Sequence, residues 1–212
     1  MTARLITLEG SEGAGKTTAL KIICEILDSW NVEYICTREP GGEPIAEKIR
    51  GILLYSESLH AKTELLLMFA SRNEHIENII KPALKAGKWV ISDRYVDASY
   101  AYQGGGRQLG FEVVQWLDDF IVANMQADFT ILMDVEPAIG LERIRNRNLK
   151  NKGQADRIEQ EDIEFFTRIT KAYRKKAALE AHRYAVVDAS MPLKQVTVAI
   201  EQAFTTMQDR LL

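Results

Sequence analysis

A doubly wound α/β fold is predicted by three observations. Five short apolar runs alternate with amphipathic helical patterns along the whole chain. Each run is followed at once by polar, Gly or Pro residues, and the first leads into a glycine-rich loop that opens a helix. Runs of this kind suit strands of a parallel sheet that are buried on both faces. Ligands of such sheets gather at the carboxyl ends of the strands. Chemistry is therefore expected at 10–17, 38–42, 93–103, 135–158 and 188–192.

The first strand is Arg4-Leu5-Ile6-Thr7-Leu8-Glu9, and Gly10-Ser11-Glu12-Gly13-Ala14-Gly15-Lys16-Thr17 follows. The loop matches G-x-x-x-x-G-K-[ST] at every fixed position, and Thr18 to Leu27 continues it with helical spacing. Strand, loop and helix in this order turn a pattern match into a nucleotide site, against the alternative of a chance match. Glycines let the backbone wrap a phosphate chain with N–H groups inward, and the helix N-terminus favours anions. Lys16 supplies a charge for the β- and γ-phosphates of ATP, and the Thr17 hydroxyl is a candidate Mg²⁺ ligand. The expected architecture is thus the P-loop NTPase-type three-layer fold, a five-stranded parallel sheet flanked by helices.

The second strand, Glu33 to Thr37, runs into Arg38-Glu39-Pro40-Gly41-Gly42, a turn that opens a helix over 43–54. Arg38 and Arg50 are either solvated charges or phosphate ligands; their place near a strand's carboxyl end favours the second. A helix is predicted over 63–86, kinked by Pro82 and ended by Gly87. The third strand, Trp89 to Ser92, ends in Asp93-Arg94. An apolar strand ending in Asp presents a carboxylate to nucleotide-bound Mg²⁺, and the arginine beside it can grip phosphate with two N–H groups. Tyr102-Gln103-Gly104-Gly105-Gly106-Arg107 suggests a pocket wall with close backbone approach. A helix over 111–125 precedes the fourth strand, Phe129 to Asp134, and another follows over 137–148. Residues 143–157 hold six basic residues against one acid, with Arg143 and Arg147 on one helix face. A mobile lid over ATP is preferred to an idle basic helix or a nucleic-acid patch. A helix over 159–182, the fifth strand Tyr184 to Asp188 and a helix over 192–210 complete the chain.

The bulk properties agree. With 212 residues, 46% hydrophobic and 27% charged, the chain suits one domain spanning 1–212 with its lid at 143–158. A net charge of −3 is not a general nucleic-acid footprint. No run approaches the ~18–20 apolar residues of a membrane span. Met1 to Arg4 leads straight into the first strand, so no signal peptide is expected and a cytoplasmic location is. Cys24 and Cys36 read as buried free thiols in a reducing compartment. His60, His75 and His182 are scattered, read as surface or helix-face residues, and form no metal-ligand cluster.

In this order and spacing, the loop at 10–18, Thr37-Arg38-Glu39-Pro40-Gly41-Gly42, Asp93-Arg94-Tyr95, Ala101 to Arg107 and Asp156-Arg157-Ile158-Glu159 resemble the thymidylate kinase family of bacterial type. The resemblance covers nearly the whole chain. It implies transfer of the ATP γ-phosphoryl group to dTMP, giving dTDP for dTTP synthesis, with Mg²⁺, in a homodimer without nucleic acid or membrane. It implies that Lys16 and Thr17 hold the ATP phosphates and Mg²⁺, and that Arg38, Arg50 and Arg94 surround the acceptor phosphate. Asp93, with Glu39, would serve the metal and its waters. Arg72 would hydrogen-bond the thymine, with Ser99 and Gln103 on its remaining polar edge. Tyr102 would crowd the place of a ribose 2′-hydroxyl, and Glu12 would reach the sugar 3′-hydroxyl. Because Gly13 stands where one branch of the family carries a cation, the transition-state arginine is expected from the lid: Arg147 first, then Arg157 and Arg143. The family stacks a phenylalanine on the base four residues before its arginine. Here that position is Met68; either Phe69 takes the role, which is preferred, or Met68 packs on the base instead.

Two rivals from other classes remain. A nucleotide switch or hydrolytic ATPase lacks support, since no Asn-Lys-x-Asp motif occurs and Asp93 is followed by Arg94 rather than Glu. A nucleotide-binding regulator without catalysis is disfavoured by the complete set Lys16, Thr17, Asp93 and Arg94.

Overall fold

A computed structural model of the protein describes residues 2–151 and 155–211. Five strands, β1 (Leu5–Glu9), β2 (Tyr34–Arg38), β3 (Trp89–Asp93), β4 (Phe129–Asp134) and β5 (Tyr184–Asp188), form an all-parallel sheet in the order β2-β3-β1-β4-β5. The chain leaves β1 for the β2 edge, returns through β3, and then crosses β1 to β4. The ends of β1 and β3 therefore lie side by side at the switch in direction, where ligands of open sheets bind.

Alternation along the strands sets the layers. Ile6 and Leu8 face a core completed by Ile23 and Leu27 of α1 (Lys16–Ser29) and by Ile200 and Phe204 of α9 (Leu193–Leu211). Leu5 and Val90 face the opposite core, with Leu65 and Phe69 of α3 (Ala61–His75) and Val114 of α6 (Phe111–Leu117). Between β2 and α3 lies α2 (Pro44–Tyr55), which starts on Glu43, whose side chain accepts from the Ala46 N–H, and on Pro44, a pairing that suits a helix N-terminus. The remaining helices are α4 (Lys81–Lys85), α5 (Val96–Ser99), α7 (Pro137–Asn151) and α8 (Ile163–Leu179). No helix of the described residues is long and apolar enough to cross a membrane.

The strands fall where the sequence predicts them, but three helical stretches differ. The long helix does not simply kink at Pro82. It widens into a π-type turn at Ile76–Ile80, just before the proline that cannot donate to the ladder, and closes at Gly87 (φ 80°). The stretch predicted over 111–125 ends at Val122, after a second π-type turn at Asp118–Val122. Tyr102 to Arg107, expected to form a pocket wall with close backbone approach, lie largely in a π-type turn at Tyr100–Gly106 that follows α5. The glycines there serve packing, not ligand approach. A Cβ at Gly105 would sit 2.5 Å from Ala172 Cβ, and one at Gly106 2.7 Å from the Phe165 ring, both on α8.

The two cysteines are not buried. Cys36 on the edge strand β2 is exposed and Cys24 on α1 is half-buried, their sulfurs 3.5 Å apart. Partial desolvation of its sulfur, and then the neighbouring Cys24, push the Cys36 thiol up to about 12.

Candidate active site

The end of β1 turns into the phosphate loop through Gly10, and the loop closes on α7. Gly13 has φ 74°, and a Cβ there would stand 2.2 Å from the Gly140 carbonyl oxygen. No cation could occupy this position without moving α7, so the missing charge at Gly13 has a packing cause. Lys16 is buried and its Nζ donates to the Gly10 and Ser11 carbonyls at 3.2 and 3.3 Å. Burial and then Arg94 lower its pKa, against Glu12, Asp93 and Glu9.

Arg94 is the hub of the floor. Its φ is 71°, a costly conformation for a side-chain-bearing residue. Its NH1 donates to the Gly10 carbonyl at 2.7 Å and to the Tyr173 hydroxyl at 3.3 Å, and its NH2 to Glu12 Oε1 at 2.6 Å. Its guanidinium also lies over the Tyr102 ring, 4.8 Å from the centroid. Burial would raise the Glu12 carboxyl, yet Arg94, then Lys16 and Arg147, hold it down at about 2. The half-buried Glu12 is thus an anion, with the Tyr102 hydroxyl 3.4 Å away.

Beneath Arg94 lies Glu9, fully buried. It accepts from the Tyr95 N–H at 2.7 Å and the Tyr173 hydroxyl at 2.8 Å. Burial, and then Asp97, push its carboxyl up to about 8, against the pull of Arg94. Asp97 is itself gripped by both terminal nitrogens of Arg183, at 2.8 and 2.9 Å.

A cavity of about 490 Å³ opens above this floor. Glu12 to Thr17 line one end, Arg38, Glu39 and Arg50 another, with Met68, Asp93, Arg94, Tyr102 and Gln103 between them and Arg143, Arg147 and Arg157 above. The Asp93 Oδ1 is buried without a hydrogen-bond partner, as is the Gln103 Oε1. A second hollow beside the loop is lined by Ala14, Gly15, Thr18, Arg143, Met191 and Val196, among others.

With this geometry the comparisons agree. A family model for thymidylate kinase matches residues 8–200. The chain belongs to the thymidylate kinase family. It is 45% identical over 208 residues to a thymidylate kinase of Nitrosospira multiformis (strain ATCC 25196 / NCIMB 11849 / C 71), covering 98% of this chain and 99% of that protein. It is 45% identical over 200 residues to one from Vesicomyosocius okutanii subsp. Calyptogena okutanii (strain HA), covering 93% and 95%. A third, from Lactobacillus acidophilus (strain ATCC 700396 / NCK56 / N2 / NCFM), is 42% identical over 214 residues, covering 100% and 96%.

Several residues that the thymidylate kinase resemblance pointed to sit differently from expectation. Phe69 is in the core, 2% exposed, its ring 4.7 Å from the Arg72 guanidinium, while Met68 lines the cavity. One residue of helix rotates the side chain by about 100°, and that turns Phe69 away. Glu39 is not placed to serve a metal. Its Oε2 accepts from Arg72 Nε at 2.8 Å and its Oε1 faces His75 Nδ1 at 2.9 Å, so both oxygens are engaged. His75, expected as a surface or helix-face residue, is on the buried face of α3, fully buried itself, and also bonds Thr37 Oγ1 at 2.6 Å. Arg72 and Ser99 are fully buried, bonded to each other at 3.0 Å, and do not line the cavity.

The three lid arginines also divide. Arg157 is anchored: it donates to the Leu53 carbonyl at 3.0 and 2.9 Å and pairs with Glu64 at 2.8 Å. Arg143 donates to the Ala189 carbonyl at 2.9 Å and to that of Gly13 at 3.3 Å. Arg147 is the exposed one, paired with Glu159 and reaching Asn148. Lys152, Gly153 and Gln154 of the expected lid lie outside the described residues. Sequence reasoning passed over Glu9, Glu64 and Tyr173, and it ranked Met68 behind Phe69. Glu9 could have been found, since an acid is out of place in a buried strand. Glu64 reads as an ordinary acid in a helix's first turn, and Tyr173 as one aromatic of an amphipathic helix.

Proposed function

We propose that the chain transfers the γ-phosphoryl group of ATP to the 5′-phosphate of dTMP, giving dTDP and ADP and supplying dTTP synthesis. One observation carries the reading beyond family membership: a single cavity joins the phosphate loop to Arg38, Arg50 and Arg94. Such a cavity suits two phosphate-bearing ligands end to end. The ATP phosphates take the loop N–H groups and Lys16, and the adenine the second hollow beside Arg143. The acceptor phosphate takes Arg38, Arg50 and Arg94, and the sugar 3′-hydroxyl meets Glu12.

Transfer needs no covalent enzyme intermediate and no strong base, because the acceptor phosphate is already anionic at neutral pH. The work is alignment and charge neutralisation of a loose transition state. Arg94 is tied to the phosphate loop at two points, the Gly10 carbonyl and the Glu12 carboxylate. Arg147 above the cavity adds the lid charge as 143–158 closes and excludes water.

Among the described residues no group of three or more His, Cys, Asp or Glu could hold a metal. Mg²⁺ in phosphoryl transfer takes one or two protein oxygens and completes its shell with phosphate and water. The unpartnered Asp93 Oδ1 and the exposed Thr17 hydroxyl are the oxygens that would hold it. When bound, it would neutralise charge on the β- and γ-phosphates.

Exposed Leu66, Trp116 and Phe120, the last two stacked at 6.1 Å, form an apolar face suited to a second copy; a monomer mass by light scattering would remove that assignment. A cytoplasmic location accords with dTTP supply. The substrate is tested by following ADP release with dTMP, dUMP, ribothymidine monophosphate and dGMP. A methyl group is worth about 1–3 kcal/mol in a pocket, so dUMP is a poor but measurable substrate. Equal turnover of dTMP and dGMP would overturn the assignment.

A further inference from the structure

Glu64, in the first turn of α3, is 1% exposed and lies among cationic and amide donors. Its Oε1 accepts from Gln103 Nε2 at 2.8 Å. Its Oε2 meets Arg157 NH1 at 2.8 Å, and Arg107 Nε lies 3.3 and 3.2 Å from the two oxygens. Gln103 is 3% exposed, lines the cavity, and its Oε1 has no hydrogen-bond partner.

A glutamine amide can be turned over by half a rotation, exchanging its oxygen with its NH₂, and the local partners decide which way it sits. A carboxylate paired with guanidiniums accepts and does not donate. It must therefore receive the NH₂ of Gln103, because the turned amide would set oxygen against oxygen. The carbonyl oxygen of this cavity-lining residue is left without a donor, and a buried acceptor in that state is costly until a donor arrives.

We infer that Glu64 is a specificity-positioning residue: by holding the Gln103 amide in one orientation, it makes the acceptor site demand an N–H donor on the base edge. A pyrimidine with an imide N–H at N3, such as thymine, meets that demand. Cytosine carries a lone pair at the same atom and meets the carbonyl oxygen with repulsion. Sites that leave a buried polar group unpaired reject the wrong ligand far more strongly than sites that measure size. The inference rests on the proposal that Gln103 faces the base of dTMP.

The test compares kcat/KM for dTMP and dCMP in the full-length protein and in E64Q, Q103L and R107M. In E64Q the neutral amide can donate or accept, so Gln103 is free to turn. The dTMP-to-dCMP ratio falls roughly tenfold or more, mainly through KM, since the bond is made in the ground state as well as the transition state. R107M removes one cation from Glu64 and leaves the amide's anchor, so it lowers stability and keeps the ratio. A general loosening would lower both substrates together and leave the ratio unmoved in E64Q, which overturns the inference. If Q103L lowers the ratio and E64Q does not, the amide is held by something other than Glu64. If neither moves it, the placement of Gln103 against the base is wrong. Should E64Q fail to fold, the wild-type protein decides by NMR. Gln103 side-chain NH₂ protons shielded from exchange in the free protein agree with anchoring on Glu64. Fast exchange with cavity water overturns it.

Discussion

Two arginines act on the same carboxylate, and they are held in opposite ways. Arg94, on the cavity floor, keeps a side chain only 11% exposed, sits at φ 71°, and is fixed by Gly10, Tyr173 and Glu12. Arg147, in the roof, keeps a side chain 48% exposed, and its hydrogen-bond partners among the described residues are Asn148 and Glu159. Both lower the Glu12 carboxyl, Arg94 more than Arg147. The floor is charge already organised before any ligand binds, and organised dipoles and charges need no rearrangement during reaction. The roof is charge that can be delivered. A kinase needs both: a fixed floor to align two anions, and a movable charge that arrives with closure.

Removing Arg94 should break the floor on two counts. R94M is expected to lower kcat roughly 10³-fold or more, at the upper end of losing a fixed electrostatic donor. It should also cost about 3 kcal/mol of stability, because Glu12 loses the partner that keeps its charge tolerable. Steady-state kinetics and thermal melting read the two effects. If activity falls while the melting temperature stays within error, Arg94 is not the structural hub assigned to it.

The roof should separate these effects. R147A is expected to lower kcat roughly 10³-fold, the lower range for a transition-state arginine. The melting temperature should hardly move, since exposed ion pairs contribute about 0–1 kcal/mol. A loss of activity under tenfold would transfer the role to Arg157 or Arg143. Both of those are anchored to backbone carbonyls, so their loss should lower stability as well, and a melting curve would tell them from Arg147.

The contrast also marks what the sequence could say. The phosphate loop, Asp93-Arg94 and the basic run at 143–157 are local patterns, and each could be read from neighbours in the chain. The strands β1, β3 and β4 were legible because buried parallel strands have continuous apolar runs, and the half-buried edge strands β2 and β5 keep enough of that pattern to be read as well. What escaped was made by long-range pairing. Glu39 reads as a metal-serving acid until Arg72 and His75 arrive from α3, 33 and 36 residues away. Phe69 and Met68 are adjacent, and only the packing of α3 decides which faces the cavity. The glycines at 104–106 looked like room for a ligand, and α8, some 60 residues later, fills that room. Gly13 looked like a missing cation, and the cause is the backbone of α7.

The smallest expected effect on turnover tests whether the floor is tuned as well as fixed. Glu9 does not line the cavity, yet it touches Tyr173, which in turn touches Arg94. Burial, and then Asp97, raise its carboxyl to about 8, with Arg94 and the bonds from Tyr173 and Tyr95 opposing them. A raised folded-state value means that the native protein binds this proton more tightly than the unfolded chain does. Its contribution to stability is therefore complete below the ordinary carboxylate value and is lost as pH rises through about 8. Within that window the slope from this one group is at most about 1.4 kcal/mol per pH unit. Glu12 works in the opposite sense: held at about 2, it adds stability above the ordinary value that is lost as pH falls toward 2. Melting temperatures from pH 5 to 9 should thus decline more steeply in the wild type than in E9Q, whose neutral amide keeps the bonding partners and does not titrate. E9Q should keep kcat within tenfold at pH 7. Parallel melting profiles for the two proteins would show that Glu9 does not titrate in this range, and that the floor is set by Arg94 and Glu12 alone.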